Sequence, residues 1–267
     1  MSILIVQGLS KEYRGEMTST LAIERLDFEV KEREFVSIVG PSGCGKTTLL
    51  MIISGLMMPT GGRALLKGRE VTGPPDGLIL LFQDYSRSLF PWRTVIENVC
   101  YGLELKRQGI PKDEIRPRAE RYLEAVGLSR FAHHYPWQLS GGMQQRVAIA
   151  RALACEPSIL VMDEPFGSLD AQTRAELEDF LLEIWERFHQ TILFVTHDIE
   201  EGIYLADRVL VLRHRPSIIL EDIPIDLPRP RNQLESRGSE TFLKYRAKIH
   251  KMIIHREGGY EEDRQPA

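Results

Sequence analysis

Two segments of this chain carry residue types that could manage phosphate chemistry. Gly40–Thr48 reads GPSGCGKTT and Ile159–Pro165 reads ILVMDEP. In the first, Gly40, Gly45, Lys46 and Thr47 satisfy the G-x-x-x-x-G-K-[ST] pattern. Glycines let the backbone wrap closely, so successive N–H groups and a helix N-terminus can face phosphate oxygens. A lysine there adds a point charge near the β- and γ-phosphates, and the threonine hydroxyl can hold Mg²⁺. Pro41, Ser42, Gly43, Cys44 and Thr48 fill the rest of the loop and join the candidate nucleotide contacts. Asp163 stands at the end of the apolar run Ile159–Met162. Ligands of open α/β sheets gather at that end of a strand, and a carboxylate there suits Mg²⁺ through its water shell.

These residues need particular elements around them. Phe35–Val39 is an apolar run of the length of a buried strand. TTLLMIISGL, from Thr47, reads as the helix that follows it, and Thr191–Thr196 as another strand. About a hundred residues after the loop comes LSGGMQQR, Leu139–Arg146. Ser140 can cap a helix, two glycines follow, and GMQQRVAIARALA continues with helical apolar spacing. Such a start offers a second anion site made of backbone N–H groups.

The motif pair with its spacing resembles the ATP-binding subunits of ABC transporters over nearly the whole length. The resemblance implies an α/β fold: a P-loop NTPase, RecA-like core with an N-terminal antiparallel β subdomain and a helical signature subdomain. The cassette is expected over 1–230, its helical part over about 86–154, and a C-terminal amphipathic helix with a polar tail over 231–267. The implied ligands are ATP and Mg²⁺. Glu164 resembles the general base that polarises the attacking water. Gln83 in LLFQD resembles the Q-loop glutamine, which reaches Mg²⁺ and that water, and His197 in LFVTHD the switch histidine. Tyr13 in SKEY resembles the aromatic residue that stacks on adenine. Ser140, Gly141, Gly142 and Gln144 are the signature, which closes on the γ-phosphate held by a partner chain, and Ser168 and Asp170 belong to the D-loop at the dimer interface. Outside this resemblance Gln83 is a polar residue at a strand end, His197 a capping residue and Tyr13 ordinary strand packing.

Further wording narrows the branch. LFPWRTV-ENV, YPWQLSGGMQQR, DEPFGSLDAQTR, THDIEEGIYLADRV and IDLPRPR (Ile225–Arg231) resemble the nitrate/sulfonate/taurine importers. The implied partners are a second ATPase subunit, most simply an identical chain, an integral membrane permease and, indirectly, a periplasmic or surface substrate-binding protein. The implied place is the cytoplasmic face of the cell membrane. Leu89, Phe90, Pro91 and Trp92 are either core or an apolar patch for the permease. Two departures from the family pattern concern stability. Arg33 replaces a turn glycine, costing about 1 kcal/mol if φ is positive there. Gly202 replaces a helical alanine, at a cost of about 1 kcal/mol.

Composition sets the remaining bounds. The 34 basic and 38 acidic residues give a net charge of −4, without a nucleic-acid footprint. No apolar run approaches the roughly 20 residues that span a bilayer. MSILIVQGLSKEY alternates like a strand and lacks a signal peptide's basic region and cleavage site. Cys44, Cys100 and Cys155 are scattered and read as reduced thiols, with Cys44 a passive loop residue or an alkylation site. His133, His134, His189, His214, His250 and His255 form no metal-ligand spacing and read as surface or capping residues. Phe242, Tyr245, Ile249 and Met252 share one face of a helix over Ser239–His255, which either docks on the core or serves regulation or dimer contact. The closing GGYEEDRQPA is expected to lack packed structure. Two other classes fit less well: a soluble ABC ATPase of DNA repair or ribosomes, which would carry coiled-coil insertions or fused cassettes, and an ATP-holding regulatory module without turnover.

Overall fold

The computed structural model describes residues 1–15, 18–83, 88–105 and 110–254. Ser86, His255 and the closing segment 258–267 lie outside them, so the expected start of the helical part and the expected character of the tail do too. In chain order, β1 (Ser2–Arg14), β2 (Ser19–Lys31), β3 (Phe35–Val39), α1 (Lys46–Ile53), β4 (Gly61–Leu66) and β5 (Arg69–Glu70) come first. Then follow β6 (Leu78–Leu81), α2 (Val95–Leu105), α3 (Lys112–Ala125), α4 (Gly141–Ala154), β7 (Ile159–Asp163) and α5 (Ala171–Phe188). The last elements are β8 (Ile192–Thr196), α6 (Ile199–Leu205), β9 (Arg208–Leu212), β10 (Ser217–Pro224), α7 (Gln233–Gly238) and α8 (Glu240–Ile254).

The chain forms two compact units, one of residues 1–75 with 191–267 and one of residues 76–190. In the first, strands run in the order β5-β4-β1-β2-β10-β9-β3-β8. β1 pairs antiparallel with β2 and β4, and β9 with β10. β3 is parallel to both β8 and β9. This mixture of an antiparallel start and a parallel centre is the expected α/β architecture. β3 and β8 are buried at every position, because a parallel strand covered on both faces can carry apolar side chains throughout. The turn before β3 places Arg33 at φ 64°, the left-handed conformation that makes its side chain cost about 1 kcal/mol. Its amide donates to Thr191 Oγ1 at 2.9 Å. Helix α8 meets α6 and β9 through the buried Phe242 and Ile249. Arg246 pairs with Glu200 at 2.9 Å across that contact.

In the second unit β6 and β7 run parallel, with Leu81 opposite Met162. Helix α4 packs against α2, α3 and β6. Its inner face is almost wholly apolar, Val147 to Leu153 being buried apart from Arg151. No helix among the described residues is long and apolar enough to cross a membrane.

Candidate nucleotide site

Strand β3 ends at Val39 and the glycine-rich loop begins at the next residue. Gly45 precedes α1 at φ 103°, and a Cβ there would lie 3.0 Å from Ser217 Oγ and 3.2 Å from the Ala22 carbonyl. Both conformation and space therefore require glycine at this point. The loop's carbonyls are turned toward donors. Lys46 is buried, and its Nζ donates to Gly40 O at 2.7 Å and to Pro41 O at 3.0 Å. Arg215 Nε donates to Gly43 O at 3.2 Å, and Ser217 Oγ donates to Cys44 O. Leu49 N–H takes the Gly45 carbonyl at 2.9 Å. A loop whose carbonyls are engaged by donors can turn amides toward an anion. Cys44 is fully buried, and that burial pushes its thiol above its ordinary value, which suits a passive loop residue more than an alkylation site.

Two further candidates lie in the same unit. Tyr13 is exposed at the end of β1, and its hydroxyl lies 3.2 Å from Thr48 Oγ1. Its ring thus stands beside the start of α1, with Lys11 Nζ 5.5 Å from its centroid. His197 follows β8, where Thr196 is level with Val39 of β3. Gly40 and His197 therefore leave adjacent parallel strands at the same end. Helix α6, which follows His197, is capped at both ends. Asp198 accepts from Glu200 N–H at 2.9 Å and Glu201 N–H at 3.2 Å. At the other end Arg231 donates to Ile203 O at 3.2 Å and Tyr204 O at 2.6 Å, and Arg229 to Leu205 O at 3.1 Å. The IDLPRPR segment is thus a double arginine cap. Sequence reasoning treated it as a branch marker only, because no local pattern ties an arginine to carbonyls 24 to 28 residues away.

The second unit assembles its own group. Asp163 ends β7 almost fully buried, and Glu164 follows at φ 43°. Gly167 N–H donates to Glu164 O at 3.2 Å, closing a tight turn. Gln83 emerges from β6 at the same end, its Nε2 3.6 Å from the Cβ position of Gly167. Backbone strain on a non-glycine residue costs on the order of 1 kcal/mol and collects at functional positions. Thr47 in the first unit carries a hydroxyl and Asp163 in the second a carboxylate, each an oxygen donor of the hard kind that Mg²⁺ takes.

Ser140 caps α4, its Oγ accepting from Met143 N–H at 3.3 Å. Gly141 is exposed, while Gly142 is buried against α5, where a Cβ would sit 2.8 Å from Thr173 Cγ2. Gln144 Nε2 turns back to Leu139 O at 3.1 Å. Asp170 caps α5 by accepting from Thr173 N–H at 3.0 Å and Thr173 Oγ1 at 2.7 Å. These two bonds hold its carboxyl below the ordinary value. Ser168 is exposed in the turn before it. Thr173 thus meets both Gly142 and Asp170.

The patch after Gln83 has a frame that the sequence did not announce. Buried Asn98 accepts from Phe90 N–H at 2.9 Å, and its Nδ2 donates to Phe90 O, Arg93 O and Thr94 O at 3.0 to 3.2 Å. Arg151 donates to Ser88 O at 2.6 Å beneath the Phe90 ring. Leu89 is core, Phe90 half-buried and Trp92 71% exposed. Beside them a groove of about 270 Å³ is lined by Phe82, Phe90, Tyr101, Leu105, Arg151 and Cys155 among others.

Comparison with known proteins places the chain in a family. The family model described as ABC transporter matches residues 23–167. An uncharacterized ABC transporter ATP-binding protein of Methanocaldococcus jannaschii is 52% identical over 246 residues, covering 92% of this chain and 89% of its own. A nitrate import ATP-binding protein of Synechocystis is 44% identical over 259 residues, covering 95% of this chain and 96% of its own. A dimeric ATP-binding cassette solved in a post-hydrolysis state with ADP and Pi superposes with a TM-score of 0.71 at 34% identity, over 83% of this chain and 98% of that one. The chain belongs to the ABC transporter family of ATP-binding proteins and is an ATPase.

Proposed function

We propose that the chain powers uptake of a small anion, nitrate, an aliphatic sulfonate or taurine, through a separate membrane permease, working as a dimer at the cytoplasmic face of the membrane. The observation that carries the importer reading is the end-to-end match to a nitrate import ATP-binding protein, 95% of one chain against 96% of the other. The exposed Trp92 beside the groove near Phe90 and Tyr101 supports a permease docking surface. A substrate-binding protein would act on the far side of the permease.

In this reading Tyr13 stacks on the adenine, and the amides of Gly40–Thr48 with Lys46 hold the phosphates. Mg²⁺, when bound, neutralises charge on the β- and γ-phosphoryl oxygens. Thr47, Gln83 and Asp163 would hold it. Glu164 accepts the proton of the attacking water, while Gln83 and His197 orient that water and the γ-phosphate. Ser140, Gly141, Gly142 and Gln144 close on the nucleotide of the partner chain, with Ser168 and Asp170 at the seam. Catalysis by such parts is positioning and charge stabilisation. Closure around two ATP molecules and reopening after hydrolysis would move the permease.

The test is co-purification of the tagged chain from membranes, followed by uptake measurements in vesicles with nitrate, taurine and an alkanesulfonate. A permease that follows the tag and ATP-dependent uptake of one of these anions is the expected outcome. Recovery without any membrane protein, or a permease that carries none of the three, would overturn the importer or the substrate reading respectively.

A further inference from the structure

We propose that Arg215 and Ser217, at the turn between β9 and β10, are positioning residues that set the phosphate-binding geometry of the glycine-rich loop. The inference rests on the reading of that loop as the ATP phosphate site. It adds two residues from more than 170 positions away in sequence, outside every motif discussed above.

A trans peptide is planar, so holding one residue's carbonyl fixes the opposite direction of the next residue's N–H. Ser217 Oγ donates to Cys44 O and thereby directs the Gly45 amide to the other side of the loop. Arg215 Nε donates to Gly43 O at 3.2 Å and directs the Cys44 amide inward. That amide closes on Pro41 O over 3.3 Å, a long bond that a phosphate oxygen can replace. The donors to Gly40 O and Pro41 O come from Lys46, whose ammonium the phosphates also claim. The donors from Arg215 and Ser217 carry no such conflict. They can keep the loop open to the anion while Lys46 changes partners.

The site is built for this role. Ser217 is fully buried and lies level with Ile23 of β2, so its hydroxyl has a fixed direction. The Gly45 Cβ position is only 3.0 Å from Ser217 Oγ, which leaves no space for slack between the hairpin and the loop. Arg215 is exposed, and its guanidinium adds positive charge beside Gly43. Arginine's rigid fork holds a carbonyl with little loss of freedom.

The experiment titrates ADP and measures steady-state ATP hydrolysis on the full chain with Ser217→Ala, Arg215→Ala and Arg215→Lys. The expected result is an ADP affinity about fivefold weaker for each alanine variant, the size of one hydrogen bond. KM for ATP should rise in step while kcat is retained, and Arg215→Lys should recover part of the loss. The melting temperature without nucleotide should stay unchanged for Arg215→Ala, which removes an exposed side chain and so decides the matter if Ser217→Ala folds poorly. Unaltered ADP affinity in Arg215→Ala overturns the proposal. Lys46→Ala is the control: if it loses affinity while the hairpin variants do not, only this proposal fails. If Lys46→Ala also binds ADP normally, the phosphate-loop reading fails with it.

Discussion

Gly202 of α6 lies so close to Val39 that a methyl group built on it would sit 2.5 Å from Val39 Cγ2. Helix propensity alone makes glycine the poorer choice by about 1 kcal/mol. Overpacking a tight contact costs about 1–3 kcal/mol, so the contact wins. Gly202→Ala should therefore destabilise the protein by on the order of 1 kcal/mol in a urea titration. Val39→Ala in the same chain should recover part of that, a coupling that a double-mutant cycle isolates. A Gly202→Ala protein more stable than the parent would contradict this account.

Glu164→Gln should lower ATP turnover by about a thousandfold, the range lost with a general base. ATP binding should persist, and a dimer should accumulate with ATP on size-exclusion chromatography. The amide keeps the side chain's shape at φ 43°, so folding should not suffer. Hydrolysis at the parental rate would remove Glu164 from the proton-accepting role.

Arg231 is pushed down to about 10 by burial and by the neighbouring Arg229, the mark of a charge enclosed by the fold. Arg231→Ala strips donors from Ile203 O and Tyr204 O and should cost about 2 kcal/mol. Arg231→Lys should recover only part, since one ammonium cannot reproduce the fork. Urea midpoints for the two variants give the answer, and a loss under about 0.5 kcal/mol for the alanine would reduce the cap to ordinary surface contact.

Asp170 gives the acid side of the stability profile. Its carboxyl titrates below the ordinary value because Thr173 donates to the ionised form. A group depressed in the folded protein contributes above its unfolded pKa, and the contribution fades as pH falls through the folded value. Asp170→Asn keeps an acceptor but cannot titrate. The stability gap between the two proteins should be present at pH 7 and narrow below 3.8. An unchanging gap in denaturation at several pH values would show that the cap does not titrate.

Trp92→Ala should leave basal hydrolysis intact and impair ATP-driven uptake, since the side chain is 71% exposed and carries little of the fold. Phe90 is less clean, because its ring is packed edge-on against Tyr101 at 4.8 Å. Uptake at the parental rate in reconstituted vesicles would leave the patch without a docking role.

The strand, loop and helix around Lys46 were legible because phosphate binding constrains residue type and spacing together. The turn at Arg33 was legible conditionally, and its φ of 64° supplied the condition. Gly202 was misread, since propensity is local and Val39 is 163 positions away in the chain. Arg231, Ser217 and Asn98 escaped notice for a related reason. Each satisfies backbone carbonyls or amides, and a backbone carbonyl has no residue type to recognise. Their roles exist only once the chain has folded.

Thr173 spends its methyl on Gly142 and its hydroxyl on Asp170, a division only a β-branched hydroxyl residue can make. The starts of α4 and α5 are thereby tied together through one side chain. In the dimer proposed above, two contacts that look separate in the sequence would then engage an opposing chain as a single latch, with fewer half-closed positions in which to idle.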